Sequence, residues 1–339
     1  MQNSLPTIPI DFVRDLLQGA ALDSHQQAAC VLRAGIAPAL LQQAGARVTN
    51  QQFAGLYRLL AQQCDDETPG MFARPLRGGT LKFLCLSLIG SPSLVTALYR
   101  FTQYFRLLLD DLLFVLRTQG SRVQVALVPR TEAVRQNTFA QKMMLKLVHG
   151  VASWLAGHKI PLAQVDFTHA RPEQGSEYVF LYPGPQRFEQ PEMALWFDLE
   201  QLQTPIRQGQ QSVSAFLARA PADWMFVSFA ERIVSHRVRE HLQQRLEQPV
   251  TIAAVADALH FSVRTLARKL QAEGTSFQAV KDELRRDVAI QLLTQSRLAV
   301  AQIGQRVGFE DATCFQRAFR QWTGSAPGAY RRRPAQASR

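Results

Sequence analysis

At 339 residues, 47% hydrophobic and 19% charged, the chain has apolar mass for two or three packed domains and too little charge for global disorder. Its formal net charge of +11 is uneven: eighteen Lys and Arg face eleven Asp and Glu from Pro221 onward, against twenty and sixteen before it. That excess suits a polyanionic partner for the C-terminal part, with solubility alone as the plain alternative.

Met1 to Pro6 lacks the basic and apolar runs of a secretory leader, and Leu81 to Leu98 is broken by Lys82 and by Gly90-Ser91-Pro92. No membrane association and a cytoplasmic location are therefore expected. Cys30, Cys64, Cys85 and Cys314 are scattered, with no close pair and no His at metal-ligand spacing. Neither a disulfide framework nor a metal or other cofactor is expected.

In chain order, Thr49 and Gln52 form a capping box. It opens a helix with Phe53, Leu56, Tyr57 and Leu60 inward. Ser91-Pro92 reads as a serine cap followed by proline in the first turn of a second helix, with Leu94, Ala97, Leu98, Phe101 and Phe105 inward. The period then changes. Leu112 to Leu116 reads as a buried strand, Thr118 to Ser121 as a turn, and Val123, Val125 and Leu127 as the returning strand of a hairpin. A helix from Thr138 to Ala156 turns Met143, Leu147, Val151 and Leu155 inward. Short strands are expected at Val165–Phe167 and Ala194–Phe197. Helices, then antiparallel strands, then more helix predict an α+β domain.

Pro205 to Pro221, rich in Gln, Ser and Ala, reads as a partly helical connector. From Trp224 the chain is helical and basic, with Arg232, Arg237, Arg239 and Arg245 among Phe229, Ile233 and Val238. This all-α part repeats itself. Val255-Ala256-Asp257-Ala258-Leu259-His260-Phe261-Ser262 is echoed by Ile303-Gly304-Gln305-Arg306-Val307-Gly308-Phe309-Glu310, and each copy precedes a second helical pattern. A short helix, a tight turn and a helix with outward arginines form a helix-turn-helix, here in tandem.

In the first unit Ile252, Val255 and Leu259 face inward, Phe261 fills the turn, and Ser262 is the N-cap of a helix with Val263, Leu266 and Leu270 as its core stripe. Arg264, Ala267, Arg268 and Gln271 fall on the opposite face. In the second, Ile303, Val307 and Phe309 pack the scaffold, and Phe315, Ala318, Phe319 and Trp322 form the inner stripe. Ala312, Thr313, Gln316, Arg317 and Arg320 lie outward. A linking helix from Phe277 to Leu293, with Val280, Leu284, Val288 and Leu292 inward, spaces the two units. One such pattern alone is weak, because a solvated helix face resembles it; two copies with Arg268 and Arg317 in equivalent places are specific.

Val307-Gly308-Phe309-Glu310, Phe315-Gln316-Arg317-Ala318-Phe319 and Trp322 to Arg331 resemble the C-terminal signature of the AraC/XylS family of bacterial transcription regulators. Arg268 to Gly274 and Glu283-Leu284-Arg285-Arg286 match it too, so the likeness runs from about residue 229 to 333. It implies base contacts to double-stranded promoter DNA from Arg264, Ala267, Arg268, Ala312, Thr313, Gln316 and Arg317. Ser262, Thr265, Gln271 and Arg320 are expected on the DNA backbone or in support. Ala267 and Ala312 depart from a polar reader and offer only methyl contacts.

Leu32 to Leu41 and Leu98 to Arg106 resemble the helical-then-β sensor domain of ornithine-responsive and similar regulators. The resemblance implies an effector-sensing or dimerising domain followed by a double helix-turn-helix domain. With the connector and the last strand pattern ending before about residue 222, these are expected over 1–205 and 223–333, with a linker over 206–222 and a disordered tail over 334–339. A nucleoid-associated, non-enzymatic regulator is expected, with a small-molecule effector and RNA polymerase as partners and a homodimer allowed; activation is the commoner outcome in that family. No effector-pocket residue is assigned: Tyr104, Arg106 and Trp196 suit a small anionic or amino-acid effector, but core aromatics and a surface arginine are the better explanation. A ligand-independent regulator with a purely dimerising N-terminal domain is the main alternative. An alkyl-transfer DNA-repair protein is the other, disfavoured because no cysteine stands in a Pro-Cys-His-Arg setting.

Overall fold

The elements follow in order as β1 (Ile8–Pro9), α1 (Ile10–Gly19), α2 (Ser24–Arg33), β2 (Arg47–Val48), α3 (Asn50–Cys64), α4 (Thr80–Leu88) and α5 (Leu94–Leu108). Next come β3 (Leu112–Gln119), β4 (Arg122–Pro129), α6 (Glu132–Gln136), α7 (Thr138–Ala156), β5 (Gln164–Asp166), β6 (Gln186–Arg187), β7 (Met193–Asp198) and α8 (Leu199–Leu202). The remainder is helical: α9 (Gln210–Arg219), α10 (Ala222–Met225), α11 (Val234–Gln244), α12 (Ile252–Ala258), α13 (Val263–Ala272), α14 (Phe277–Gln295), α15 (Val300–Arg306) and α16 (Ala312–Thr323). This computed structural model describes residues 6–171, 181–226 and 233–331. Phe229 and Arg232 lie outside them, as does the tail expected beyond residue 333.

Packing divides the chain into two units. One comprises Met1–Leu17, Leu22–Leu56 and Ala230–Arg339; the other comprises Gln18–Ala21 and Tyr57–Phe229. This differs from the linear division at residues 205 and 222, because the N-terminal segment packs with the C-terminal helices rather than with the sheet, and the stretch read as a linker belongs to the sheet-containing unit. The division falls within α3.

The second of these units holds a five-stranded sheet of order β3-β4-β7-β5-β6. β3 and β4 pair antiparallel from Leu112 opposite Pro129 to Gln119 opposite Arg122, closing on Gly120-Ser121. Thr118 and Gln119 therefore belong to the strand rather than to the turn. Gly120, at φ 57°, supplies the left-handed conformation that a two-residue hairpin loop needs. β7 runs antiparallel to β4 and β5, and β6 runs parallel to β5.

α5 packs on β3 through Phe101, Phe105 and Phe114, whose ring centroids lie 4.8–5.4 Å apart. Its cap is Ser93 rather than Ser91. Ser93 has the extended backbone of an N-cap, and its hydroxyl accepts from the Thr96 amide at 3.3 Å. Proline therefore precedes the cap instead of following it.

α7 is buried along nearly its whole length, polar residues included. Lys146 Nζ donates to the Leu181 carbonyl at 2.5 Å, and burial pulls its pKa down to about 7. His149 Nε2 lies 2.8 Å from the Ile160 carbonyl; burial lowers its pKa to about 3, so the ring is neutral. α10 crosses α7 at Gly150, where an added Cβ would fall 2.3 Å from the Trp224 carbonyl oxygen.

In the other unit β1 and β2 pair antiparallel, with Ile8 opposite Val48. The capping box of α3 is formed: the Thr49 amide donates to Gln52 Oε1 at 2.9 Å and the Gln52 amide to Thr49 Oγ1 at 3.2 Å. A buried polar cluster links this segment to the C-terminal helices. Asp287 Oδ1 on α14 accepts from the Thr7 hydroxyl at 2.5 Å, Asp287 Oδ2 accepts from Arg239 of α11 at 2.9 Å, and Arg47 donates to Thr7. Arg239 is therefore a core ion-pair partner and not part of an exposed basic face.

Candidate nucleic-acid interface

The first helix-turn-helix runs from α12 to α13. Thr251 caps α12 and Ser262 caps α13, accepting from the Thr265 amide at 3.1 Å. Val255, Ala256, Leu266 and Leu270 are buried in one cluster with Val238, Leu242, Val280 and Leu284, and Ile252, Leu259 and Phe261 pack against it. Val263 was expected in this stripe but is 43% exposed. It stands in the first turn of α13, and the buried stripe begins only at Leu266. Between the helices His260 takes φ 60°, a left-handed turn residue without being glycine. Phe261 lies under two cations, Lys269 and Arg237, at 5.5 and 5.7 Å.

The second runs from α15 to α16. Gly308, at φ 80°, makes the equivalent turn. It is one residue longer: Ser262 directly follows Phe261, whereas Glu310 stands between Phe309 and the cap Asp311. Asp311 accepts from the Cys314 amide at 2.8 Å, and that bond holds its carboxyl below its usual range. Phe309, Phe315, Phe319, Trp322 and Tyr330 form a chain of ring contacts with neighbouring centroids 5.2–5.9 Å apart.

α14 spans the two units. Its buried residues are Val280, Leu284, Asp287, Ala289, Ile290 and Leu293, while Val288 and Leu292 are only half-buried. A strict four-residue step gains about 40° per repeat on the helix and walks off one face. Arg285 on this helix donates to the Gly308 carbonyl at 3.0 Å and lies 4.9 Å over the Phe309 ring. Burial lowers its pKa, a sign of how far the guanidinium is taken from water.

Arg264, Ala267, Arg268 and Gln271 share the exposed face of α13. Ser262 is also exposed; Thr265 is half-buried with its hydroxyl 2.9 Å from Ser262 Oγ. On α16, Thr313, Gln316, Arg317 and Arg320 are exposed and Ala312 is half-buried. Each group is therefore brought together on one helix, opposite a buried stripe. Sequence reasoning missed Asp311 as a cap and His260 as a strained turn residue. The Asp-Ala-Thr run could have shown the first, and the alignment of His260 with Gly308 the second.

The sheet-containing unit has a cavity of about 610 Å³ between the second half of α3, the start of α4, α7 and α10. Leu76, Leu84, Phe105, Met143, Leu147 and Trp224 supply its apolar wall, and Arg58, Asp65, Glu67 and Lys82 also line it. Glu67 accepts from the Gly79 and Leu81 amides at 2.7 and 2.6 Å; burial nonetheless raises its pKa. The Tyr57 hydroxyl donates to the Glu67 carbonyl at 2.6 Å, and burial pushes that phenol up. Tyr104, Arg106 and Trp196 are not among the lining residues: Tyr104 donates to the Thr80 carbonyl and Trp196 to Asp166. Cys85, buried on α4, has its thiol pKa pushed up to about 12 by burial, the reverse of an activated nucleophile. Among the described residues no helix is long and apolar enough to cross a membrane, and no cluster of His, Cys, Asp or Glu is placed to hold a metal.

A family model for the arabinose-binding domain of AraC transcription regulators matches residues 25–206, and one for a helix-turn-helix domain matches residues 255–333. The chain is 26% identical over 336 residues to the ornithine utilization regulator of Pseudomonas aeruginosa, covering 96% of this chain and 97% of that protein. It is 29% identical over 154 residues to the transcriptional activator NphR of a Rhodococcus species, covering 42% of this chain and 45% of that one. Among solved structures it is similar to the transcriptional regulator CdpR of Pseudomonas aeruginosa at 22% identity, over 75% of this chain and 82% of that chain, with a TM-score of 0.31. The first family model alone spans more than half of the sequence. The chain is a member of the AraC family of DNA-binding transcription regulators, with the family's ligand-binding domain ahead of its helix-turn-helix domain.

Proposed function

We propose that α13 and α16 are the two DNA-reading helices, with Arg264, Ala267 and Arg268 on the first and Ala312, Thr313, Gln316 and Arg317 on the second meeting base edges. Ser262, Thr265, Gln271 and Arg320 touch the phosphate backbone or hold the readers in place. One observation carries this reading: on two capped helices of a tandem fold, these positions share a solvent-facing side while the opposite side is buried. An arginine entering the major groove bonds O6 and N7 of guanine in bidentate fashion. The two side-chain sets differ, so each protomer reads a directional, non-palindromic site.

The chain works as an effector-responsive activator that contacts RNA polymerase, dimerises and resides on the nucleoid. Its effector acts by binding DNA-competent and DNA-incompetent states with different affinity. The cavity in the sheet-containing unit favours this over a purely dimerising N-terminal domain. The DNA-binding domain follows α10, which with α9 belongs to the sheet-containing unit.

Arg268→Ala tests the register. It is expected to weaken specific promoter binding by about 1–3 kcal/mol and to relax base preference at one position. Unchanged affinity and site preference in quantitative footprinting would remove Arg268 from the reading set.

A further inference from the structure

We propose that this cavity takes an amphipathic anion, whose apolar body fills the space beside Leu84, Phe105, Leu147 and Trp224 and whose charged head sits at the rim between Arg58 and Lys82. The assignment rests on the proposed effector function of the same unit.

The cavity volume, about 610 Å³, falls within the range of pockets for drug-sized ligands. Its wall is chiefly aliphatic, aromatic and thioether, so most of the ligand must be apolar to gain from leaving water. The sign of the head follows from which lining charges are already engaged. Asp65 accepts from Arg77 at 2.7 Å and from the Gly78 amide at 3.3 Å. Glu67 has one backbone amide on each carboxylate oxygen. Both acids therefore have partners within the protein.

The two lining cations do not. Arg58 and Lys82 are exposed, which places them at the rim, and neither has an ion-pair or hydrogen-bond partner among the described residues. Asp65 is already paired with Arg77, so a cationic head would have Glu67 alone to meet, a carboxylate already holding two backbone amides; an anionic head meets two cations with no partner among the described residues.

The test is calorimetric titration of the purified full chain with decanoate, decylamine and decanol, each below its aggregation concentration. Decanoate is expected to bind tightest. The double variant Arg58→Gln/Lys82→Gln should weaken decanoate by about tenfold and leave decanol unchanged. Ala61→Trp, at a half-buried lining position, should abolish binding of all three. Decylamine binding as tightly as decanoate, no binding by any of the three, or full binding to the Ala61→Trp protein would each overturn the assignment. Promoter DNA is titrated into the same preparations without ligand. Failure there counts against the regulator reading, whereas intact promoter binding with no decanoate binding counts against this ligand alone.

Discussion

In the first helix-turn-helix unit Ala256 of the scaffold helix and Leu266 of the reading helix are both buried in one cluster. In the second, Gly304 and Phe315 hold the corresponding places. A Cβ on Gly304 would stand 3.1 Å from Phe315 Cβ and 3.2 Å from its Cγ, so the larger ring on one helix is matched by the missing methyl on the other. The repeat thus keeps the summed volume of the facing pair rather than its identity. The units also differ in their support. An added Cβ on Gly45 would meet the Thr323 backbone at 3.1 Å, and the Arg47 amide donates to the Tyr330 hydroxyl at 3.1 Å, so the second unit packs against the N-terminal segment. The first is held by its own cluster with α11 and α14. Two units of like sequence can therefore answer differently to a change in that segment.

The largest expected effect comes from removing the cluster that ties the segment to α14. Asp287 and Arg239 have side chains 1% and 5% exposed. Breaking a buried pair strands the remaining charge, so Asp287→Ala should cost about 3–5 kcal/mol in denaturant unfolding. A cost below about 1 kcal/mol would mean that the cluster is not a structural tie. Burial pushes the Asp287 carboxyl up, but Arg286, Arg239, Arg47 and the Thr7 hydroxyl outweigh it and hold the pKa below its ordinary value. A carboxyl lowered in the folded state contributes stability above its unfolded pKa of about 3.9 and loses it as the pH falls through the folded value. The wild-type melting temperature should therefore fall more steeply than that of Asp287→Asn below about pH 4.

Next in size is the volume match. Gly304→Ala gains about 1 kcal/mol of helix propensity but overpacks Phe315, and overpacking costs about 1–3 kcal/mol. Phe315→Leu alone leaves a void beside Gly304 and destabilises. The double variant recreates the Ala256–Leu266 pairing, so the two changes should offset one another by about 1 kcal/mol or more in a thermodynamic cycle. Simple additivity would show that the match is incidental.

Much of this was legible in the sequence, and the losses have physical causes. The hairpin, the long buried α7, the capping box at Thr49 and the two outward faces were all visible, because each is set by local periodicity or by a cap within four residues. The cap of α5 slipped from Ser91 to Ser93 because two serines flank Pro92, and only the backbone angles choose between them. Arg239 read only as one of a basic run because its partners, Asp287 and the Thr7–Arg47 segment, are remote in the chain. The same remoteness hid the association of Met1–Leu17 and Leu22–Leu56 with the C-terminal helices. The cavity drew side chains from α3, α4, α7 and α10, a combination that no window of sequence contains.

The smallest effect separates the two turns. His260 and Gly308 occupy equivalent places at φ 60° and φ 80°, but only the glycine is free of Cβ strain there. The residues are not interchangeable in both directions. An added Cβ on Gly308 would lie 2.6 Å from the Leu246 carbonyl oxygen, so Gly308→His should destabilise strongly through a clash with backbone. His260 is exposed, and its replacement removes strain without opening a void. His260→Gly should therefore stabilise the first unit by about 0.5–1 kcal/mol, the relief of a left-handed side chain less the entropy of a freer unfolded chain. A destabilisation on chemical unfolding would instead assign His260 a contact that outweighs its backbone strain, and the two turns would then differ in function as well as in residue.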